Sequence, residues 1–406
     1  MIKYINKIGF FSLVIFFILA PLHFWTSVKV SYFYKEIFAF LFLILTIPLL
    51  NKRTSYNIRS ELFFLLLFFI YLILSSVFIE SRQLYNDVLD LSQVSVSGNL
   101  YVIRNSLIYI PMLIYIYKRG LSSKEINFLL KLISVFGVIS IISYLSFHEI
   151  TTDIASAIKL FSLGGDFLSY NSFVPYLTFP FISSLYLSFN QPNNKSKILF
   201  LIISILIFSY IIISTSRQSM IFCFLAVLIF LTSNKKYVKS FFKLLIPLFI
   251  ISIVYIPFVI SEVEFSEKLT SRTSSISGLL SDETNRLDTA IDGMKKLSFI
   301  EYFVGAGVSS VTVSGPHNDY IRWTQRLGLI GSFLAFLPFL ISFRKSYGIM
   351  KMNYSLYDKF IFLALFYTLY ISLFGYPRED AYQAPYVWLG LSFWLINQGL
   401  VRKKQV

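Results

Sequence analysis

Long apolar runs separated by short polar segments dominate the chain. A membrane-spanning helix needs roughly 20 mostly apolar residues to cross about 30 Å of hydrocarbon. By this measure we predict an all-α polytopic membrane protein of about 12 transmembrane helices, with residues 1–406 forming a single integral membrane domain. The predicted spans are 8–27, 33–51, 61–79, 101–117, 127–147, 172–190, 198–214, 218–233, 242–260, 326–343, 359–375 and 385–401.

The first apolar run resembles a signal peptide, because Lys3 and Lys7 precede it. However, the run continues through Pro21, His23 and Trp25, and no small-x-small cleavage site follows it. We therefore expect it to remain as a span.

Composition supports membrane insertion and excludes several other classes. Hydrophobic residues make up 56% of the chain and charged residues only 14%, against about 25% charged in an ordinary soluble domain. A soluble globule cannot bury that much apolar surface, and a disordered chain would not contain it. The single cysteine, Cys223, excludes a disulfide framework, and the three scattered histidines do not suggest a zinc motif.

The charge distribution predicts the orientation. The net charge is +15, and the segments on one side of the predicted spans carry most of the Lys and Arg residues. The same segments carry only three acids: Glu61, Glu125 and Asp358. By the positive-inside rule these segments, and both termini, are cytoplasmic. The basic excess therefore reflects topology and argues against a nucleic-acid partner. On the other side lie longer segments at about 80–100 and 148–171 and one large loop at 261–325.

Arg217 lies in the first unusual polar segment, Ser214–Ser219, between two apolar runs. The spacing leaves room only for a tight helix–helix turn at the outer membrane surface. A guanidinium held there can bind a phosphate through two parallel hydrogen bonds. The alternative is a polar hairpin whose arginine contacts lipid headgroups.

The stretch 284–298 is predicted to form an amphipathic helix within the large loop. Leu287, Ile291, Met294 and Leu297 recur at helical spacing. We expect this helix to lie flat on the outer leaflet with Arg286 near its start. Arg286 is either a second phosphate ligand or the partner of nearby acids in a local salt bridge.

The glycines at 305 and 307 and the segment that begins at Gly315 form the third unusual region. The Gly-Ala-Gly triplet is not a dinucleotide fingerprint and instead predicts a tight loop. Pro316 suits the first turn of a helix, which we expect to run through Arg322 and Arg326 into the tenth span.

His317 would then lie at the N-terminal end of that helix. The helix dipole disfavours an imidazolium there, so a neutral imidazole could accept a proton. The alternative is an interfacial histidine that bonds a loop. Asp319 is a rival base, or the partner of Arg322 in a structural ion pair. Supporting roles are expected for Asn318, Asp319, Tyr320, Arg322 and Arg326.

Together these residues suit attack on a lipid-linked pyrophosphate at the outer face. Arg217 and Arg286 would neutralise the leaving diphosphate, and His317 would take the proton of the acceptor hydroxyl. Because arginines would carry the compensating charge, we expect neither a metal nor a cofactor.

The same residues resemble the O-antigen polymerase and O-antigen ligase superfamily of bacterial envelopes. The resemblance covers about 198–345, where a Ser-Arg turn precedes a large loop with "NRLD", "GAG" and "PHNDY", followed by "GLIG". It implies a GT-C-type glycosyltransferase of the bacterial inner membrane that works on the periplasmic side. The implied donor is an undecaprenyl-pyrophosphate-linked oligosaccharide, with Arg217 and Arg286 binding the pyrophosphate and His317 as the catalytic residue. Membrane lipids surround such an enzyme, and a chain-length regulator is a possible partner.

Polymerase activity is favoured over ligase activity, which would transfer the glycan to lipid A–core. Ligases of this family often carry a second histidine before the His-Asn pair, where this chain has Gly315 and Pro316. Polymerases of this family are often described with two sizeable periplasmic loops, whereas the second-ranked loops here, at 80–100 and 148–171, are modest. This departure leaves the ligase alternative open. A polysaccharide or lipid transporter is the rival from another class, although the charges here lie at the membrane margins. A purely structural membrane protein is the remaining alternative.

Overall fold

The computed structural model describes most, but not all, of the chain. The described residues are 2–22, 34–50, 60–82, 84, 96–147, 170–213, 216–232, 290–311, 318–352, 355–375, 377–378 and 383–405. The predicted span 242–260, Arg286 and His317 lie outside them. For Arg217 the structure describes the backbone but not the side chain.

Within these ranges the secondary structure is helical, without strands. The helices are α1 (Ile2–Leu22), α2 (Tyr34–Leu50), α3 (Ser60–Phe78), α4 (Val96–Leu107), α5 (Ile110–Arg119), α6 (Ser123–Phe147), α7 (Tyr170–Asn190), α8 (Asn194–Ile213), α9 (Arg217–Leu231), α10 (Phe299–Val304), α11 (Asp319–Met352), α12 (Leu356–Ile371) and α13 (Ala384–Gln405). The predicted all-α class is confirmed. The count of twelve spans stays a prediction.

Several helices have the length and surface of membrane spans. Five stretches of the described chain are long and apolar enough to cross a membrane: Ser60–Phe78, Asn99–Arg119, Ser123–Ile142, Asn194–Ile212 and Asp319–Met352. Helix α2, although shorter, leaves Ile37, Phe40, Leu43 and Ile47 exposed along one side. An exposed apolar stripe of that kind suits contact with lipid. These are the features of a multi-pass membrane protein.

Helix α12 lies at the centre of the bundle. It is buried around most of its circumference, as expected for a helix that is apolar on all sides. Helices α7, α9, α11 and α13 pack around it. Aromatic pairs form much of this contact, including Phe222 stacked on Phe366 with ring centroids 5.6 Å apart.

The two ends of the bundle carry different segments, and we call them the loop face and the opposite face. The loop face carries residues 290–311 together with the residues just after α3, which contact them through Arg82 and Leu84. The opposite face carries the start of α3 and the later part of α11, joined by an ion pair between Lys345 Nζ and Glu61 Oε1 at 2.9 Å.

Two predicted spans differ from the observed helices. The predicted span 101–117 is two helices, because Pro111 in the first turn of α5 cannot donate to the helix before it. The predicted helix that should run unbroken through Arg322 into the tenth span is interrupted at Gly328, whose φ is +67° and ψ −175°. This conformation is essentially restricted to glycine.

The break at Gly328 reverses the chain. Ser332 Oγ donates to Tyr320 O at 3.4 Å, and the Tyr320 and Phe336 rings stack 4.0 Å apart. In a straight helix, twelve residues would separate such atoms by about 18 Å. The segment 319–327 therefore folds back along the segment 329–352.

The glycine turn at 305–307 fits against this break. The φ values of Gly305 and Gly307 are +92° and +102°, which confirms the tight loop expected there. Ala306 N donates to Gln325 O at 2.9 Å and Gly307 N to Arg326 O at 3.2 Å. Tyr71 Oη, from α3, donates to Leu327 O at 3.2 Å. The carbonyl oxygens of Gln325, Arg326 and Leu327 lose their helical partners at the break and accept these hydrogen bonds instead. An apolar environment offers no water to replace them.

Gly328→Ala should destabilise the fold. The new Cβ would lie 2.1 Å from Phe303 O, and the backbone conformation alone costs a non-glycine residue about 1–3 kcal/mol. We expect a lower melting temperature of the protein in detergent. Gly348→Ala is the matched control, since this glycine of the same helix has nothing within 4 Å of its added Cβ. Equal melting temperatures for the two variants would contradict the reversal at Gly328.

Candidate functional site

The segment 290–311 is clamped against residues 79–84 at the loop face. Arg82 Nη2 donates to Glu301 Oε2 at 2.8 Å and to Lys296 O at 2.7 Å. Lys296 Nζ donates to Leu84 O at 2.7 Å. Backbone bonds from Arg82 N to Ala306 O and from Leu84 N to Ser310 O continue the contact. This part of the large loop is therefore folded and packs against the end of the bundle.

Burial alone would raise the pKa of Glu301, but the hydrogen bonds from Arg82 and Ser298 hold that pKa below its usual range. The Glu301 carboxylate contributes its full stabilisation of the folded state at pH values above its unperturbed pKa of about 4.3. It is lost as the pH falls through the lowered pKa of the folded state.

The amphipathic helix predicted at 284–298 ends earlier than expected. Among its described residues, 290–295 are helical and Ser298 is extended. Ser298 starts α10 instead, in a capping box with Glu301. Leu297 packs against Leu84 and Ala306, whereas Ile291 is 40% exposed. The predicted apolar face is therefore split between the protein core and the surface.

The reversed segment 319–327 carries its charged residues on one face. Asp319, Arg322 and Arg326 recur at i, i+3 and i+7. All three side chains are buried. Asn318 caps this segment, because its Oδ1 accepts from Ile321 N at 3.1 Å. Arg326 donates from Nη2 to Val311 O at 2.8 Å and lies beside the Trp323 ring.

Asp319 is held in a buried ion pair with Arg378. Arg378 Nε donates to Asp319 Oδ2 at 3.0 Å, and the two side chains are 5% and 0% exposed. Ser372 Oγ donates to the same carboxylate oxygen at 3.4 Å. The structure therefore supports the structural role considered for Asp319, with Arg378 as a partner that the sequence did not suggest.

Arg378 also joins the two segments of α11. Its Nη1 donates to Ala335 O at 2.9 Å, and its guanidinium carbon lies 3.9 Å from the centroid of the Phe336 ring. The ring of Trp323 is 5.0 Å away. In the sequence, Arg378 is the one cation in the short connection between two apolar runs. A charge at the edge of the membrane needs a compensating interaction, and this was the available signal.

The start of α9, at Arg217, lies at the same end of α12 as Asn318. Five residues into α9, the Phe222 ring lies 5.7 Å from that of Tyr370, in the last turn of α12. Asn318 Nδ2 donates to Leu373 O at 3.0 Å, and Asp319 N to Ser372 O at 2.8 Å, just beyond that turn. Tyr320 Oη donates to Leu369 O. The backbone of Arg217 and the residue that follows His317 thus lie at the same end of α12.

This region is rich in buried arginines, and its described part shows no metal site. Among the described residues, the guanidinium groups of Arg322, Arg326 and Arg378 lie in or beside the reversed segment, together with the carboxylate of Asp319. In the described ranges, no group of three or more His, Cys, Asp or Glu side chains could hold a metal ion. Cys223 is buried and free of a disulfide.

Comparisons with known proteins add no family assignment. No protein-family model matches the chain, and no curated protein matches it significantly.

Arg378→Gln should be strongly destabilising. It leaves the Asp319 carboxylate buried without its ion-pair partner, a change that costs about 3–5 kcal/mol in buried pairs. Thermal unfolding in detergent measures the effect. The control is Lys295→Gln, which breaks an exposed pair with Asp292 and should cost less than about 1 kcal/mol. Similar losses for both variants would show that the Arg378 pair does not hold the reversed segment.

Proposed function

We propose that the protein is a polysaccharide polymerase of the bacterial inner membrane, with about twelve spans and a GT-C-type organisation. In this proposal both termini are cytoplasmic, and the loop face is periplasmic. The enzyme would transfer a glycan from undecaprenyl pyrophosphate to a sugar hydroxyl of another lipid-linked repeat unit. The particular class of product is an O-antigen or a similar surface polysaccharide.

The observation that carries the proposal is that two chain segments lie at the same end of α12. One is the start of α9 at Arg217, and the other is Asn318, which follows His317. Buried arginines surround the second segment. A phosphate-rich lipid headgroup needs several cations in one place, since bidentate guanidinium contacts are its strongest ligands. The resemblance to polymerases and ligases supports the same site.

In the proposed reaction, His317 accepts the proton of the acceptor hydroxyl as its oxygen bonds to the anomeric carbon of the donor. The bond between that carbon and the pyrophosphate oxygen breaks, and undecaprenyl pyrophosphate leaves with the electron pair. Arg217 and Arg286 stabilise the negative charge of the leaving group. Asp319, already bonded to Arg378 and Ser372, positions the segment that follows His317 and is not the base.

His317→Ala, Arg217→Ala and Arg286→Ala should each reduce chain extension by at least about a hundredfold, since general bases and charge-stabilising donors typically contribute that much. Arg217→Lys should also fail, because an ammonium cannot reproduce the planar fork. The assay is extension of a lipid-linked repeat unit by the purified, reconstituted protein. Lys195→Ala is the control, since this exposed cation lies at the start of α8. Full extension by the His317 variant would refute the assigned base.

The lipopolysaccharide profile of a deletion strain distinguishes polymerase from ligase. A single repeat unit on the core indicates a lost polymerase. Bare core with accumulated lipid-linked polymer indicates a lost ligase. Loss of lipid-linked repeat units from the outer leaflet, with extension by the purified protein absent, would favour a transporter.

A further inference from the structure

Helix α10, at the loop face, turns its apolar side chains away from the protein. Phe299, Ile300 and Phe303 are 80%, 70% and 44% exposed. They stand at i, i+1 and i+4, so they lie on one side of the helix. The rings of Phe299 and Phe303 contact each other, with centroids 5.4 Å apart. The three side chains therefore form one exposed apolar patch, which we call the α10 patch.

The opposite side of α10 attaches the helix to the protein. Both carboxylate oxygens of Glu301 accept hydrogen bonds from Arg82. Tyr302 packs against the apolar cluster that contains Leu84 and Leu297. Because these contacts fix how the helix is rotated, the fold itself directs the α10 patch outward.

The end of α10 lies beside the α3 helix rather than beyond it. Tyr71 Oη lies 3.3 Å from Val304 O, within hydrogen-bonding distance. Tyr71 stands seven residues before Phe78, the last residue of α3, which corresponds to about 10 Å along the helix axis. Helix α3 is one of the stretches that are long and apolar enough to cross a membrane. The end of α10 is therefore level with part of a membrane span.

The α10 patch also adjoins apolar surface on α11. A Cβ built on Gly328 would lie 2.1 Å from Phe303 O, so α10 touches the start of the second segment of α11. That segment begins with exposed apolar side chains, at Leu329, Ile330 and Phe333. The last turns of α3 are exposed and apolar as well, at Ile73, Leu74, Val77 and Phe78. The patch thus continues the surface that two candidate spans present to lipid.

Charged side chains lie just before the patch in the chain. Asp292 and Lys295 are exposed and form an ion pair at 3.5 Å. Three large apolar side chains would be costly to leave in water, whereas an apolar face flanked by lysines is typical of helices at a membrane surface. The change from charged to apolar side chains between 295 and 299 therefore indicates the boundary between water and lipid.

We propose that α10 is inserted into the bilayer leaflet on the side of the loop face. The side chains of the α10 patch lie among the acyl chains, and Lys295 lies at the headgroups. The interfacial contact expected for 284–298 is thus assigned to the following helix. Insertion fixes the depth of residues 290–311 and, through the turn at 305–307, that of the reversed segment. The proposal is independent of the proposed transferase activity.

Spin labels on single introduced cysteines measure this depth in the full-length protein, reconstituted into bilayers of phosphatidylethanolamine and phosphatidylglycerol. Phe299→Cys and Phe303→Cys report on the α10 patch. Phe333→Cys is the control for a lipid-facing position, and Lys295→Cys is the control for an aqueous one. Native Cys223 is buried, so the unsubstituted protein gives the background of labelling.

We expect the labels at 299 and 303 to lose most of the collisions with a water-soluble nickel complex that the label at 295 shows. Their collisions with oxygen, which concentrates in hydrocarbon, should be as frequent as those of the label at 333. Nickel collisions as frequent as at 295 would overturn the proposal. Protection from both reagents would show that protein covers the patch, and would overturn it as well.

Ile300→Asp tests the same placement through stability. A carboxylate there would have to enter hydrocarbon or draw α10 out of the leaflet, so the melting temperature of the protein in lipid nanodiscs should fall. Ser298→Asp is the matched control, because aspartate is as good an N-cap as serine at this exposed position. Its melting temperature should stay close to that of the native protein. An unchanged melting temperature for the Ile300 variant would count against insertion.

Discussion

Backbone groups released inside an apolar bundle must find hydrogen-bond partners, and this requirement organises the loop face. The break at Gly328 removes three carbonyls from the pattern of α11. Their donors come from the 305–307 turn and from Tyr71 of α3. Because each carbonyl needs a donor at a fixed place, the loop segment and α3 are held in one register against the reversed helix.

The chain reversal at Gly328 also determines which charged side chains are buried. Turning the segment 319–327 back along α11 places Asp319, Arg322 and Arg326 inside the protein. A buried carboxylate without a partner would be costly, and Arg378 supplies the partner from the turn after α12. The same guanidinium bonds the backbone of the second segment of α11. A helix break, an ion pair and an arginine-rich region are therefore parts of one arrangement beside the residue that follows His317.

Apolar runs predicted the helices well, because length and hydropathy are local properties of the chain. The glycines at 305 and 307 were identified as a turn for the same local reason. The break at Gly328 was missed, since a glycine within an apolar run does not reveal that another backbone approaches it. Arg378 was missed because its partner, Asp319, is 59 residues away in sequence. Arg322 stands at the helical spacing of a local ion pair and was the more obvious candidate. The transferase chemistry rests on His317, Arg286 and the side chain of Arg217, and it stays a proposal.

The separation between Asp319 and Arg378 has a consequence for biogenesis. During vectorial synthesis the reversed segment leaves the ribosome before α12 and the turn that carries Arg378. Until that turn arrives, the carboxylate of Asp319 lacks Arg378, and burying the segment is more costly. The loop face is thus completed only after the penultimate helix of the described chain has been inserted. A nascent chain stopped within α12 would contain every residue assigned to catalysis and still lack an assembled site.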